Sequence, residues 1–249
     1  MSATDETHFT GHKFRSLNEF FWQGLKESSI YFAPPHQLND PYDCQIDLMK
    51  AMRLATVGAA PMSAELQKRW EGFIQTVSEP ARTTGIFSLC AGDIRGLQER
   101  LLWSHYANDH RGVCLTLEMP YSFVHKSLVG FAPVHYGSDK LIHALQTLDL
   151  SRRLDFEAEI KPVITAYLTT KAEQWAYERE ARFISFAPGP VPIEKAWLRQ
   201  ICFGLNTSST DRAAVVEAVQ RHGYTNCVFA ELVHSDEGLF ALDCRQVFV

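Results

Sequence analysis

The chain has 249 residues, of which 46% are hydrophobic and 21% charged, with a formal net charge of -5. That balance fits a folded globular protein and excludes a disordered chain, while the acidic total excludes wholesale electrostatic binding of DNA or RNA and leaves only a local patch such as Arg95, Arg100, Arg111 and Lys126. No apolar run approaches the roughly 20 residues that span a bilayer, and the opening Met1-Ser-Ala-Thr-Asp-Glu-Thr7 lacks the basic and apolar parts of a signal segment, so the expectation is a cytoplasmic protein without membrane contact.

Gly11 to Ser16 reads as a first strand, Leu17 to Lys26 as an amphipathic helix, and Ser29 to Phe32 as a second strand that ends in Pro34-Pro35. The loop that follows, His36 to Asp43, is dense in turn formers and acids, which marks it as a functional loop, although Asn39 and Asp40 also suit an Asx turn before Pro41. Met62 to Thr76 reads as a helix opened by Ser63 as N-cap. Thr84 to Cys90 is a strand, Leu97 to Ala107 a helix with Leu97, Leu101 and Leu102 turned inward, and Gly112 to Leu117 another strand. Phe131 to Tyr136 extends the strand set, and Asp139 to Ala176 reads as mostly helical with an interruption at Pro162. The chain closes with strands at Arg182 to Phe186 and Leu198 to Phe203, a helix from Asp211 to His222 stopped by Gly223, and strands at Cys227 to Val233 and Leu239 to Val247. Strands clustered at both ends with helices between them predict an α+β fold, one domain over residues 1–249 with a mixed, mainly antiparallel sheet and helical insertions at 49–80 and 139–176.

The six cysteines are scattered through apolar surroundings and contain no Cys-x-x-Cys, so they read as buried free thiols. The ten histidines show no His-Glu-x-x-His, and no metal is expected from them. Chemistry concentrates in four segments: Lys13-Phe-Arg-Ser16; the loop with Asn39, Asp40 and Asp43; Trp103-Ser-His-Tyr-Ala107 with Asp109-His-Arg-Gly112; and Trp175 to Arg182. In the last, an extended chain from Tyr177 would put Glu178, Glu180 and Arg182 on one face, with two carboxylates side by side that resist joint ionisation without a cation, a hydroxyl or a proton. The competing reading is a solvated helix end, with Glu178 and Arg182 as an i,i+4 pair.

Taken together, Lys13-Phe-Arg-Ser-Leu17, Ile30 to Asp43, Phe87-Ser-Leu89, Leu102 to Ala107 with His110 to Cys114, Trp175 to Arg182 and Ile201-Cys-Phe-Gly204 resemble the ordered motifs of the bacterial domain-of-unknown-function family 2971, across nearly the whole chain. Ala33 departs from the pattern, since a serine is expected there. The motif order is also similar, more distantly, to the ADP-ribosyltransferase fold, in which the sheet is split, an early-strand basic residue contacts NAD, a middle strand brings Ser or Tyr, and a late Glu-x-Glu supplies the catalytic carboxylate.

That resemblance implies an NAD-consuming ADP-ribosyltransferase or NAD glycohydrolase of a toxin or phage-defence type. Glu180 would be the catalytic carboxylate and Glu178 its assistant. Lys13, Arg15, Ser88, Trp103, His105 and Tyr106 would bind NAD, with Asn39, Asp40 and Asp43 as loop contributors. A carboxylate suits this chemistry because breaking the nicotinamide bond develops oxocarbenium charge on the ribose. The partners implied are NAD, an acceptor that is protein or nucleic acid, and a cognate antitoxin. Two other readings use the same residues: a Mg²⁺-dependent nuclease or phosphohydrolase with Asp40, Asp43, Glu178 and Glu180 as an oxygen cage, and a non-catalytic antitoxin or sensor. Replacing Glu180 by Gln is expected to abolish turnover without unfolding the chain.

Overall fold

The computed structural model describes residues 8–56, 62–91, 97–123, 130–239 and 241–248. Strand β1 (His8–Arg15) leads into helix α1 (Glu19–Glu27), β2 (Ser29–Phe32), a 3-10 turn at Pro35–Gln37, and the helices α2 (Leu48–Ala55) and α3 (Ala64–Thr83). Next come β3 (Gly85–Cys90), α4 (Leu97–Tyr106), β4 (Val113–Pro120), β5 (Gly130–Pro133), β6 (His135–Tyr136) and α5 (Asp139–Gln146). A π-helical turn, Phe156–Ile160, runs into α6 (Lys161–Thr169), which is followed by β7 (Thr170–Lys171), a 3-10 turn at Glu173–Glu178 and β8 (Glu180–Ser185). The chain ends with β9 (Gly189–Pro192), β10 (Leu198–Phe203), α7 (Ser209–Arg221), β11 (Val228–His234) and β12 (Leu242–Val247). Among the described residues no helix is long and apolar enough to cross a membrane.

The main sheet has eight strands in the order β12-β11-β10-β4-β1-β3-β8-β5, with only β10 and β11 parallel. This is the expected α+β arrangement around a mainly antiparallel sheet. Its two halves join weakly. β1 and β4 pair at eight positions from His8 to Arg15, whereas β1 and β3 pair only at His12 and Cys90. Past that rung the strands diverge, and the Lys13 ammonium reaches across to the Ser88 carbonyl at 2.9 Å. A side chain thus takes up a carbonyl that a continuous ladder would have satisfied through the backbone.

Both sheet faces are covered. On one, α1 and α7 pack Phe21, Leu25, Val215 and Val219 against Phe87, Leu117 and Phe203. On the other, the two helical insertions form a common layer, in which Met52, Trp70, Val77, Leu141 and Val163 meet Ile86 and Ile184. Further along that face, Trp103 of α4 and Ala107 just after it pack with Phe14, Cys90, Cys114 and Cys202. Strand alternation places Glu180 and Arg182 on the Ile184 face, opposite Cys90 and Ser88, so these polar groups lie between two apolar clusters.

Several element boundaries move for identifiable reasons. α3 is capped by Ser63 as expected but continues through Pro80 to Thr83, because Val77 and Ala81 extend the buried face of Trp70 and Phe73. Pro162 does not interrupt a helix; it lies in the first turn of α6, where its missing N–H costs nothing. The expected helix over 139–176 is broken by turns and ends in β7 and a 3-10 turn. Of the α4 leucines, Leu102 is buried but Leu101 is 45% exposed, and Leu97 lies outside the residues whose side chains are described. Arg95 and Lys126 of the basic patch lie outside the described residues, while Arg111 is exposed beside Asp109 at 3.5 Å.

Candidate functional site

The site begins with a break in the strand pattern. Glu178 ends a 3-10 turn, Arg179 takes left-handed backbone (φ 45°), and only Glu180 starts β8. The expected extended chain from Tyr177 is therefore absent, and the two carboxylates do not meet through alternation. They meet because the αL residue swings Glu178 inward beside Glu180. The turn is pinned by Ala91 N–H donating to the Arg179 carbonyl at 2.9 Å and by Glu180 N–H donating to the Tyr136 hydroxyl at 2.8 Å. The cluster is also not a solvated helix end, since Glu178, Glu180 and Arg182 are 5%, 6% and 0% exposed.

Two cations face these acids. The Lys171 ammonium contacts Glu178 Oε2, lies 3.1 Å from Glu180 Oε2 and 3.5 Å from Asp43 Oδ2, and sits over the Trp175 ring. Arg182 donates Nε to Glu180 Oε1 at 2.7 Å and Nη2 to Asp43 Oδ2 at 2.7 Å, and spends Nη1 on the Leu168 carbonyl at 2.6 Å. Burying five charged groups is tolerable only with such saturation. Three carboxylates against two cations leave one negative charge in excess, and Lys13, within electrostatic reach of both glutamates, offsets it. Tyr106 OH donates to Glu178 Oε1 at 2.5 Å and accepts from Asn39 Nδ2 at 2.8 Å, which links the cluster to the surface. Trp175 Nε1 donates to Asp40 Oδ2 at 2.7 Å.

The electrostatics fix the protonation states. Burial pushes the Glu180 carboxyl upward, but Arg182 and then Lys171, together with hydrogen bonds from Arg182 and Ser88, outweigh it and hold Glu180 well below the usual carboxylate range. Burial likewise opposes the charged form of Lys171, and Glu180, Glu178 and Asp43 raise it above its ordinary value, so it stays an ammonium. Tyr106 is driven far up by burial and by Glu178 and remains a phenol.

On the opposite side of the sheet, Lys13 and Arg15 line a cavity of about 560 Å³ between α1 and the strands, whose wall is otherwise largely apolar. Lys13 is half-buried, lies over the Phe87 ring at 5.1 Å, and is pushed down to about 8 by burial and then by Arg15. Arg15, also half-buried, has no hydrogen-bond or carboxylate partner among the described residues, and burial lowers its pKa. Its place is set by the turn after α4, where Asn108, Asp109 and His110 have φ of 49°, 53° and 64° and Gly112 presses on the Arg15 carbonyl so closely that a Cβ there would collide.

The structure thus brings together Glu178, Glu180, Ser88, Tyr106, Asn39, Asp40 and Asp43, with Lys13 reaching them through Ser88. Trp103 stands apart. It is fully buried, stacked on His110 at 5.9 Å and edge-on to Phe14 at 5.1 Å, so its ring offers no surface to a ligand and the expected stacking role is withdrawn. His105 is exposed, with its ring 6.2 Å from Trp175. Lys171 and Tyr136 were not anticipated. Lys171 follows the apolar run Val163 to Thr170, and a lone cation at the end of such a run is its one sequence signal.

No curated protein and no solved structure matches the chain. A family model described as Protein of unknown function (DUF2971) matches residues 102–183, the segment that carries Tyr106, Lys171, Glu178, Glu180 and Arg182 but neither Lys13 nor Arg15.

Proposed function

We propose that the protein cleaves the nicotinamide glycosidic bond of NAD, with transfer of ADP-ribose to an acceptor or to water. The observation that carries this reading is the buried Glu180 carboxylate, held ionised by Arg182 and Lys171 with a smaller contribution from the Ser88 hydroxyl, and Lys13 bonded to the Ser88 carbonyl beside it. A fixed negative charge of this kind stabilises developing positive charge on a ribose without titrating during the reaction. Glu178, linked to the surface through Tyr106, is placed to pass a proton to or from an acceptor. Lys13 and Arg15 neutralise the diphosphate. The Mg²⁺ reading uses the same acids, and the loop with Asp40 and Asp43 does reach the glutamates. However, Lys171 and Arg182 stand where an oxygen cage would place its ion, and among the described residues no group of three or more metal-ligand side chains is arranged for one.

The decisive measurement is nicotinamide release from NAD by the purified chain and by Ser88→Ala. Ser88 is half-buried and its loss removes one hydrogen bond to Glu180 while leaving the ion pairs intact, so the variant folds. Release is expected from the wild type, and a loss of about tenfold in kcat from the variant, the weight of one charge-assisted hydrogen bond. Release no faster than the enzyme-free blank removes the reading.

A further inference from the structure

The eight-stranded sheet ends on two unlike edges. β5 is short, begins at Gly130 and ends at Pro133, whose missing N–H hinders a further strand from pairing there. β12 is longer, contains no proline, and among the described residues pairs only with β11, so one row of its backbone N–H and C=O groups has no strand beside it. Charges usually guard such an edge against a second strand. On β12 they are Asp243 and Arg245, opposite in sign, separated by Cys244 alone and therefore on the same face. Arg245 gives Nε and Nη2 to Glu231, which Arg212 of α7 also holds, and its Nη1 is left for another acceptor. Asp243 is partly exposed and has no ion pair among the described residues.

We propose that β12 pairs with β12 of a second copy of this chain, antiparallel about a two-fold axis at the level of Cys244, so that Asp243 of each copy faces Arg245 of the other. Symmetry and charge select this register. A two-fold axis perpendicular to the joined sheet keeps each face on its own side, so the axis lies at the level of a residue and never midway between two. Centred on Arg245, the pairing sets two guanidinium groups opposite each other; centred on Asp243, it sets two carboxylates opposite each other and shortens the overlap. Centres nearer either end pair fewer residues still. Centred on Cys244, Leu242 faces Gln246, nearly the whole strand is used, and both charge pairs attract. A strand that is its own complement when reversed is what an isologous interface requires, and this makes a second copy the occupant. The acid cluster lies on β8, toward the opposite edge of the sheet, so the association stands independently of the NAD reading.

Sedimentation velocity of the full chain over a range of concentrations tests this, and the wild type is expected to reach twice the mass of one chain. Asp243→Lys opposes cations at both pairs and Arg245→Glu opposes anions, so each variant alone should weaken association by at least about tenfold. An equimolar mixture of the two variants restores attraction at both pairs and should recover the wild-type mass. Loss in both variants together with recovery in their mixture is particular to the register centred on Cys244. The Arg245 side chain is 69% exposed and Glu231 keeps Arg212 without it, so the fold does not depend on either substitution. Hydrogen exchange of the wild type decides the matter without variants: amides within Leu242–Val247 should gain protection as concentration rises. A wild type that stays monomeric at every concentration, loss in only one variant, a mixture no heavier than its components, or a dimer without added protection in β12 overturns the proposal.

Discussion

Lys13 titrates where few lysines do, and the reason is the set of groups around its ammonium. Burial and Arg15 disfavour its charge, with Lys171 adding a smaller push in the same direction, while Glu180 and Glu178 favour it, and the balance leaves its pKa at about 8. A phosphate on the cavity side would tip that balance toward the charged form. Above pH 8 the free protein has shed this proton, so ligand binding must take it up again and affinity must fall as pH rises from 8 toward 9. Heats of binding measured in buffers of different ionisation enthalpy should therefore reveal proton uptake near pH 8.5. Lys13→Met should remove both the uptake and the pH slope. Binding heats that do not depend on the buffer would show that the ligand does not meet this ammonium.

At the level of elements, the turn from Glu173 to Arg179 decides whether the acids converge. Its αL residue is not glycine, and an L-side chain in that conformation costs roughly 1–2 kcal/mol, a strain accepted because it turns Glu178 toward Lys171. Arg179→Val, β-branched at the same φ, should lower stability by about 1 kcal/mol or more relative to Arg179→Gly. Equal denaturant midpoints for the two variants would mean that the left-handed backbone does not persist in solution. This turn also marks the limit of what period-based reading could deliver. Ser29–Phe32 falls where its alternation puts it, because nothing interrupts the pleat, and Leu198–Phe203 does so despite a register shift between Leu198 and Gln200. The Ser63 cap was legible for the same local reason. β8, by contrast, starts two residues before Arg182, at an αL hinge that has no glycine to announce it. The residue types of the site were legible as motifs, but their convergence was not. Asp43 meets Arg182 across a separation of 139 residues in the chain, through the packing of the two helical insertions, and no spacing rule encodes that.

For the molecule as a whole, the charged cluster is wedged between two apolar clusters on one sheet face, so its protonation is coupled to global stability. The Glu180 pKa is depressed in the folded protein relative to the unfolded chain, whose carboxyls titrate near 4.3. By linkage, its contribution is complete above about pH 5 and is lost as pH falls through the folded-state value. Glu180→Gln removes that contribution at neutral pH and leaves Arg182 leaning on Asp43 alone, while Lys171 keeps Glu178 and Asp43. Breaking a buried pair from one side typically costs about 3–5 kcal/mol, a large share of the roughly 5–15 kcal/mol that holds a domain folded. The expectation that this variant abolishes turnover without cost to the fold is therefore revised, which is why Ser88→Ala is the cleaner kinetic probe. Denaturant melts of wild type and Glu180→Gln across pH 2 to 7 should show a gap of that size at pH 7 that narrows steadily below about pH 4, where the unfolded wild-type chain takes up the proton that the folded carboxyl still refuses. A gap that stays constant down to pH 2 would place the cost of the substitution in packing and not in the ion pairs to Arg182 and Lys171.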